Sequence, residues 1–247
     1  DYQWDLNWAN PATFRAMLGI MLDLANQGID VLRLDAVPFL WKRMGTDCQN
    51  QPEAHWIIQA FRALTRLAAP GLVLKAEAIV APEMLAQYLG AHDRFRPECD
   101  LAYDNQLMVM LWSSLATRDV RLAEAALSRR RPAPAPASWV TYVRCHDDIG
   151  WAVSDADAGE VGLDGFAHRR FLADFYAGRF PGSFARGALF QYNPATGDAR
   201  SSGMAASLCG IGAALEGEDP GAVTAAIRRL ESLYAVAFSF GGLPLIY

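Results

Sequence analysis

With 247 residues, 52% of them apolar and 20% charged, the chain has the composition of a well-packed protein, large enough for one big domain or a domain with an insertion. A net charge of −5 and a single short basic run, Arg129-Arg130-Arg131, exclude a nucleic-acid surface. The lack of an uninterrupted apolar stretch of roughly 18 residues excludes a helical membrane span.

Asn10-Pro11 starts the first helix, with a capping side chain followed by proline at the first helical position. Phe14, Met17, Leu18, Met21, Leu22 and Ala25 form its apolar stripe, and Gly28 ends it. A short strand follows, Gly28-Ile-Asp-Val-Leu-Arg-Leu-Asp35, ending in a carboxylate. The next helix runs from about Pro52 to Ala68, with Ile57, Ala60, Phe61, Leu64 and Leu67 on one face, and stops at Pro70-Gly71. Leu72-Val-Leu-Lys-Ala-Glu-Ala-Ile79 is a second apolar strand that ends in a carboxylate. Alternating helices and strands of this kind are the signature of parallel βα units.

Further along, Pro82 to Leu89 reads as a short helix, Asp100 to Tyr103 as a brief strand, and Asn105 to Ala116 as a helix. Asp119 caps helical turns up to Leu127, and the Pro- and Ala-rich segment 129–138 reads as an extended surface loop. Trp139 to Cys145 is the clearest strand by composition and leads directly into His146-Asp147-Asp148. Parallel strands that end in polar chemistry at one edge point to a (β/α)8 TIM barrel, whose sites lie at the C-terminal ends of its strands. A doubly wound open sheet is the alternative, but no GxGxxG follows a strand. Close to a hundred residues separate His146 from the final strand, too many for one barrel helix, so an insertion is expected from about Ile149 to Gly217. Its centre, Arg179 to Gly203, reads as ordered loop. A helix from Asp219 to Phe240 then leads to Leu243-Pro-Leu-Ile-Tyr247, which reads as a buried strand.

Both ends read as cut, because the chain begins at Asp1 rather than Met and stops within that strand. The cysteines (Cys48, Cys99, Cys145 and Cys209) are scattered without CxxC spacing, as expected of reduced, mostly buried thiols in a cytoplasmic protein.

Strand alternation puts Arg33 and Asp35 on one side of the first strand. A carboxylate held beside a guanidinium in an enclosed place suits a nucleophile or a cation stabiliser better than a proton donor, although a structural ion pair would look the same. With Asp35, Glu77 and Asp147, three carboxylates stand at three strand ends, where a barrel would bring them together. Paired carboxylates of this kind carry glycoside chemistry, one attacking the anomeric carbon and one delivering a proton to the leaving oxygen. Lys75, on the face of Glu77, pulls the other way by favouring its ionised form.

These residues resemble the α-amylase family of retaining α-glycosidases and transglycosidases, with its Arg-x-Asp nucleophile strand, later Glu and His-Asp pair. More narrowly, they are similar to the amylosucrase branch, which uses sucrose as glucosyl donor to build α-1,4-glucan. The runs that carry this likeness are Asp35-Ala-Val-Pro-Phe-Leu-Trp-Lys-Arg-Met-Gly45, Lys75-Ala-Glu-Ala-Ile79, His146-Asp-Asp-Ile-Gly-Trp151, Gly182-Ser-Phe-Ala-Arg-Gly187, Phe190 to Arg200, and Gly241-Gly-Leu-Pro-Leu-Ile-Tyr247. The resemblance implies a partial barrel of about strands 4 to 8. Residues 1–148 would hold strands 4 to 7, 149–217 the inserted loop-rich subdomain, and 218–247 helix 7 and strand 8. It implies Asp35 as nucleophile, Glu77 as general acid/base and Asp147 as stabiliser of the oxocarbenium-like transition state. Arg33 and His146 would hold the donor glucose, and Asp148, Arg169 and Arg200 would shape the fructosyl or acceptor side.

The family's first strand motif, which supplies an Asp and a His, lies outside this sequence, and Cys145 stands where amylosucrases tend to carry Ser. Alternation sends His146 and Asp147 to opposite faces, so the two share a site only if the strand has broken before them. No HxH or HExxH spacing is present, so no metal and no cofactor are expected. His55, His92 and His168 read as surface or satisfied core residues, and Trp4, Trp8, Trp41, Trp56 and Trp112 as packing. A sucrose hydrolase, a trehalose-forming isomerase of the same family and a non-catalytic sugar-binding relative are the alternatives. With part of a barrel missing, the segment alone is expected to aggregate or be inactive.

Overall fold

The computed structural model describes residues 4–247. They divide into two compact units, residues 4–103 with Arg131–Trp139, and Asp104–Arg130 with Val140–Tyr247.

In the first unit, α1 (Pro11–Asn26) begins as its sequence dictates, with the Asn10 side chain accepting the Ala12 N–H at 3.0 Å. Gly28, at φ +91°, turns the chain into β1 (Val31–Leu34). Helix α2 (Pro52–Ala68) leads to β2 (Val73–Ala76), α3 (Pro82–Leu85) continues into a 3-10 turn at Ala86–Leu89, and β3 (Leu101–Tyr103) follows. The three strands are parallel, with Val31 opposite Val73 and Lys75 opposite Leu101. Leu74, Ala76 and Ala102 are buried and pack in one core with Ile58, Phe61, Tyr88 and Leu89.

The buried face of α2 is not the apolar one expected. Ala54, His55, Ile58, Phe61, Arg62 and Thr65 point inward, while Leu67 is 83% exposed. Polar residues can take the inner positions because each finds a partner. Arg62 pairs with Asp100, and His55 and Gln59 bond to Glu98.

The second unit is built on α4 (Asn105–Thr117), capped by Asp104 and buried at every position from Gln106 to Ser113. A helix this apolar all round belongs in the middle of a core. Trp112 donates its indole N–H to the Val143 carbonyl at 2.9 Å, and its own carbonyl receives the Tyr176 hydroxyl at 2.6 Å. Helix α5 (Arg121–Ser128) precedes β4 (Ser138–Tyr142), within which the chain passes from the first unit to the second. Then come α6 (Asp155–Glu160), α7 (Gly165–Tyr176), β5 (Ala188–Phe190), β6 (Arg200–Ser202), α8 (Ala205–Leu208), α9 (Ile211–Glu216), α10 (Pro220–Ser239) and β7 (Leu243–Leu245). β7 lies parallel to β4, with Val140 opposite Leu243.

The stretch 179–203 is not loop alone, because β5 and β6 form an antiparallel pair within it. Gly187 lets this hairpin close against α7. A Cβ there would sit 2.6 Å from the carbonyl oxygens of both Ser202 and Tyr176. The final strand is not buried either, with Leu243 52% and Ile246 71% exposed. Among the described residues, β4 is its neighbour on one side only within this unit.

Candidate active site

The register of β1 on β2 places two carboxylates at neighbouring strand ends. Leu34 lies opposite Ala76, so Asp35 and Glu77 are the first residues beyond a matched pair. The backbone continues the match for one more step, with the Glu77 N–H donating to the Leu34 carbonyl at 3.0 Å. Beyond that the chain turns sharply through Ala36, a non-glycine residue at φ +48°. This turn directs the Ala36 N–H onto Glu77 Oε2 at 2.5 Å and the Val37 N–H onto the Glu77 carbonyl at 3.3 Å.

Arg33 joins the two carboxylates. Its guanidinium hydrogen-bonds Asp35 and faces Glu77 Oε1 at 4.0 Å. Burial works against the Arg33 charge, but the bond to Asp35 and the charges of Glu77, Asp35 and Tyr103 outweigh it and hold its pKa above the usual arginine range. Lys75 rests over the ring of Tyr103, its Nζ 4.8 Å from the centroid. Glu77 is largely enclosed while the Asp35 side chain is 73% exposed. Asp35 and Arg33 line a pocket of about 560 Å³ with Trp8, Phe39, Leu40 and Phe61. Trp8 packs edge-on against Phe61, as a packing residue should, whereas Trp4 at the same pocket is almost fully exposed.

In the second unit, β4 ends at Tyr142, three residues earlier than its composition implies. The strand has therefore broken before His146 and Asp147, the condition for the two side chains to meet. His146 Nε2 lies 3.4 Å from Asp147 Oδ1. The segment is fixed by the hairpin strand β6. Ile149 exchanges backbone hydrogen bonds with Ser201 at 2.8 and 3.0 Å, and the Trp151 indole N–H donates to Ser201 Oγ at 3.0 Å. Asp148 pairs with Arg200 at 2.9 Å. Arg200 and Arg169 line one cavity of about 250 Å³ with Gly150, Trp151 and Gln191. Arg169 reaches the Val153 carbonyl and Asp155, both at 2.8 Å.

Arg144 was not foreseen as a site residue. It is buried, donates to the Gly203 carbonyl at 2.8 Å and to the Asp147 carbonyl at 2.5 Å, and so clamps the backbone that presents Asp147. Burial lowers its pKa, although Cys145, Tyr142, Asp148 and Asp147 all favour its charge. An arginine inside the apolar run 139–145 was the available signal. Of the remaining histidines, His168 is a satisfied core residue, 2.9 Å from Ser113 Oγ. His55 and His92 converge on Glu98. The four cysteines are free thiols; Cys99, Cys145 and Cys209 are buried, and burial pushes the Cys209 thiol up to about 12.

No family model matches the chain. In sequence it is 36% identical over 148 residues to the trehalose synthase/amylase TreS of Mycolicibacterium smegmatis, covering 60% of this chain and 25% of that protein. It is 34% identical to the trehalose synthase of Thermus thermophilus, covering 60% and 15%, and 30% identical to the glucosylglycerate phosphorylase of Escherichia coli, covering 61% and 26%. The aligned segment thus spans about a quarter of these relatives, or less. In fold it is similar to the sucrose 6F-phosphate phosphorylase of Thermoanaerobacter thermosaccharolyticum, at a TM-score of 0.59 and 19% identity, over 92% of this chain and 39% of that one. The parallel strands and this likeness are consistent with a partial (β/α)8 barrel, and the sequence relatives, named as trehalose synthases and a glucosylglycerate phosphorylase, do not single out an amylosucrase.

Proposed function

We propose that this chain carries the reacting carboxylates of a retaining α-glucosyl-transferring enzyme of the α-amylase family. The observation behind the proposal is the Arg33 bridge between Asp35 and Glu77 at adjacent strand ends. In this reading Asp35 attacks the anomeric carbon while Glu77 protonates the departing sugar oxygen. A covalent β-glucosyl-enzyme results. Glu77, now ionised, takes the proton of an incoming hydroxyl as that oxygen displaces Asp35 and restores the α configuration. Asp147 stabilises the positive charge that develops on the ring in both steps, with His146 beside it. Arg33 orients Asp35. Asp148 shapes the leaving-group and acceptor side together with Arg169 and Arg200, the latter two within an inserted segment spanning 149–217.

Two donor chemistries fit this site. The trehalose synthases among the sequence relatives favour a trehalose-forming isomerase, in which the sugar released in the first step is itself the acceptor. The runs His146 to Trp151 and Phe190 to Arg200 favour the sucrose-to-glucan transfer of amylosucrases. Incubating the protein that contains this chain separately with trehalose and with sucrose distinguishes them. Conversion of trehalose to an isomeric disaccharide supports the first, and fructose release with growing glucan supports the second. Asp35→Asn should reduce either turnover by several orders of magnitude while leaving thermal unfolding unchanged. Full turnover by Asp35→Asn would refute the assignment.

A further inference from the structure

Away from the strand ends, the first unit gathers a second group of ionisable side chains around a glutamate with no exposed surface. Glu98 lies 3.0 Å from His55 Nδ1 through one carboxylate oxygen and 2.6 Å from His92 Nε2 through the other, and it accepts the Gln59 carboxamide N–H at 2.9 Å. These partners come from separate places. His55 and Gln59 are one turn apart on α2, whereas His92 and Glu98 bracket the irregular segment between the 3-10 turn at Ala86–Leu89 and β3. Tyr88 covers the His55 ring at 4.7 Å. No lysine or arginine is paired with Glu98 among the described residues. A buried carboxylate without a cation is costly, and this one is surrounded by two imidazole nitrogens.

We propose that His55, His92 and Glu98 bind a divalent transition-metal ion of the zinc class. The donor set supports this choice, since two imidazoles and a carboxylate suit zinc and disfavour magnesium or calcium, which prefer oxygen throughout. The candidate ligand atoms all lie within 4.8 Å of one another. Zinc bonds of about 2.0–2.2 Å in a tetrahedron separate ligand atoms by about 3.3 Å. The present separations of 2.6–3.2 Å therefore need to open by only a few tenths of an ångström at most contacts. To bind the ion, each ring offers the nitrogen facing Glu98 as a lone pair and carries its proton on the other ring nitrogen, Nδ1 in His92. For His55 the proton moves to Nε2, an atom that at present has no hydrogen-bond partner. Gln59 or a water supplies the fourth position. Enclosed on α2 and on the 92–98 segment, the ion is structural and pins an irregular stretch to a helix.

The test is zinc titration by calorimetry of the chelator-treated protein containing this chain, with thermal unfolding followed in parallel. One zinc per chain at this site and a higher unfolding midpoint are expected. His92→Ala and Glu98→Gln should each weaken that binding by about tenfold or more, as losing a ligand or its close support does. Cys145→Ser should leave it unchanged, which separates it from the Cys145, His146 and Asp147 group. His92 is only partly buried, so its variant decides the matter even where Glu98→Gln fails to fold. No zinc binding by a cooperatively folded protein, or equal binding by His92→Ala, would overturn the proposal.

Discussion

Replacing Asp100 with asparagine tests how the base of the first three strands is held. Asp100 Oδ1 pairs with Arg62 and lies 3.3 Å from Arg66, while Oδ2 accepts the Leu74 N–H at 3.0 Å. The Arg62 side chain is 8% exposed, and burial lowers its pKa against the pull of Asp100, a sign that the guanidinium is held inside at a cost. Removing one partner of such a buried pair costs about 3–5 kcal/mol, because the other charge is left uncompensated. The half-exposed Arg66 adds less than about 1 kcal/mol. Asparagine keeps an acceptor for Leu74, so the expected loss is about 3–4 kcal/mol, a large share of the 5–15 kcal/mol typical of a domain. At roughly 2–4 °C per kcal/mol for a chain of this size, the unfolding midpoint should fall by about 6–16 °C. Asp100→Ala also orphans the Leu74 N–H and should cost about 1–3 kcal/mol more. Urea unfolding of Asp100→Asn, Arg62→Met and the double variant forms the assay. Arg62→Met removes the stranded charge, so the double variant should regain most of the loss. Additive losses from the two single changes would show that the pair is not coupled and refute the reasoning.

In the second unit, Tyr176→Phe should cost about 1–2 kcal/mol in the same assay. It strips the Trp112 carbonyl of its 2.6 Å hydrogen bond but leaves the ring stacked on Trp151 at 5.4 Å. A loss below about 0.3 kcal/mol would mean that water replaces the hydroxyl. His168 gives a pH dependence of defined sign. Burial, with Arg169 nearby, lowers its native pKa below the unfolded value of 6.5, so below that pH the unfolded chain binds the extra proton. Its contribution is fully retained above pH 6.5 and is lost as pH falls toward the native pKa. Thermal unfolding across this range should show a decline that His168→Gln reduces, and equal pH slopes for the two proteins would count against it.

The parts of the fold legible in the sequence are those governed by local rules. Asn10-Pro11 caps α1, Gly28 ends it, α10 starts within a residue of the expected Asp219, which caps it, and the alternation of βα units emerged from periodicity alone. So did the pairing of Arg33 with Asp35, because two residues two apart on a strand share a face. The inward face of α2 was not legible. Whether His55 and Arg62 can be buried depends on Glu98 and Asp100, roughly forty residues away, and nothing in the helix itself records them. For Arg144 only its charge within an apolar run was legible, because its two acceptors are backbone carbonyls with no side-chain signature. The hairpin β5–β6 escaped because its strands are three residues each, too short for alternation to stand out from a Gly- and Ser-rich background.

The bond from the Ala36 N–H to Glu77 has a consequence for how this chain can drift. The link between the strand bearing Asp35 and the strand bearing Glu77 runs partly through main chain, so no change of side chain at position 36 deletes its donor, with one exception. Proline lacks the N–H, and its ring fixes φ near −65°, whereas position 36 sits at +48°. Glycine would adopt that angle with less strain than alanine, and a β-branched residue with more. Tolerance at this position is therefore set by backbone angle rather than by side-chain chemistry, and selection acting there reads conformation before composition.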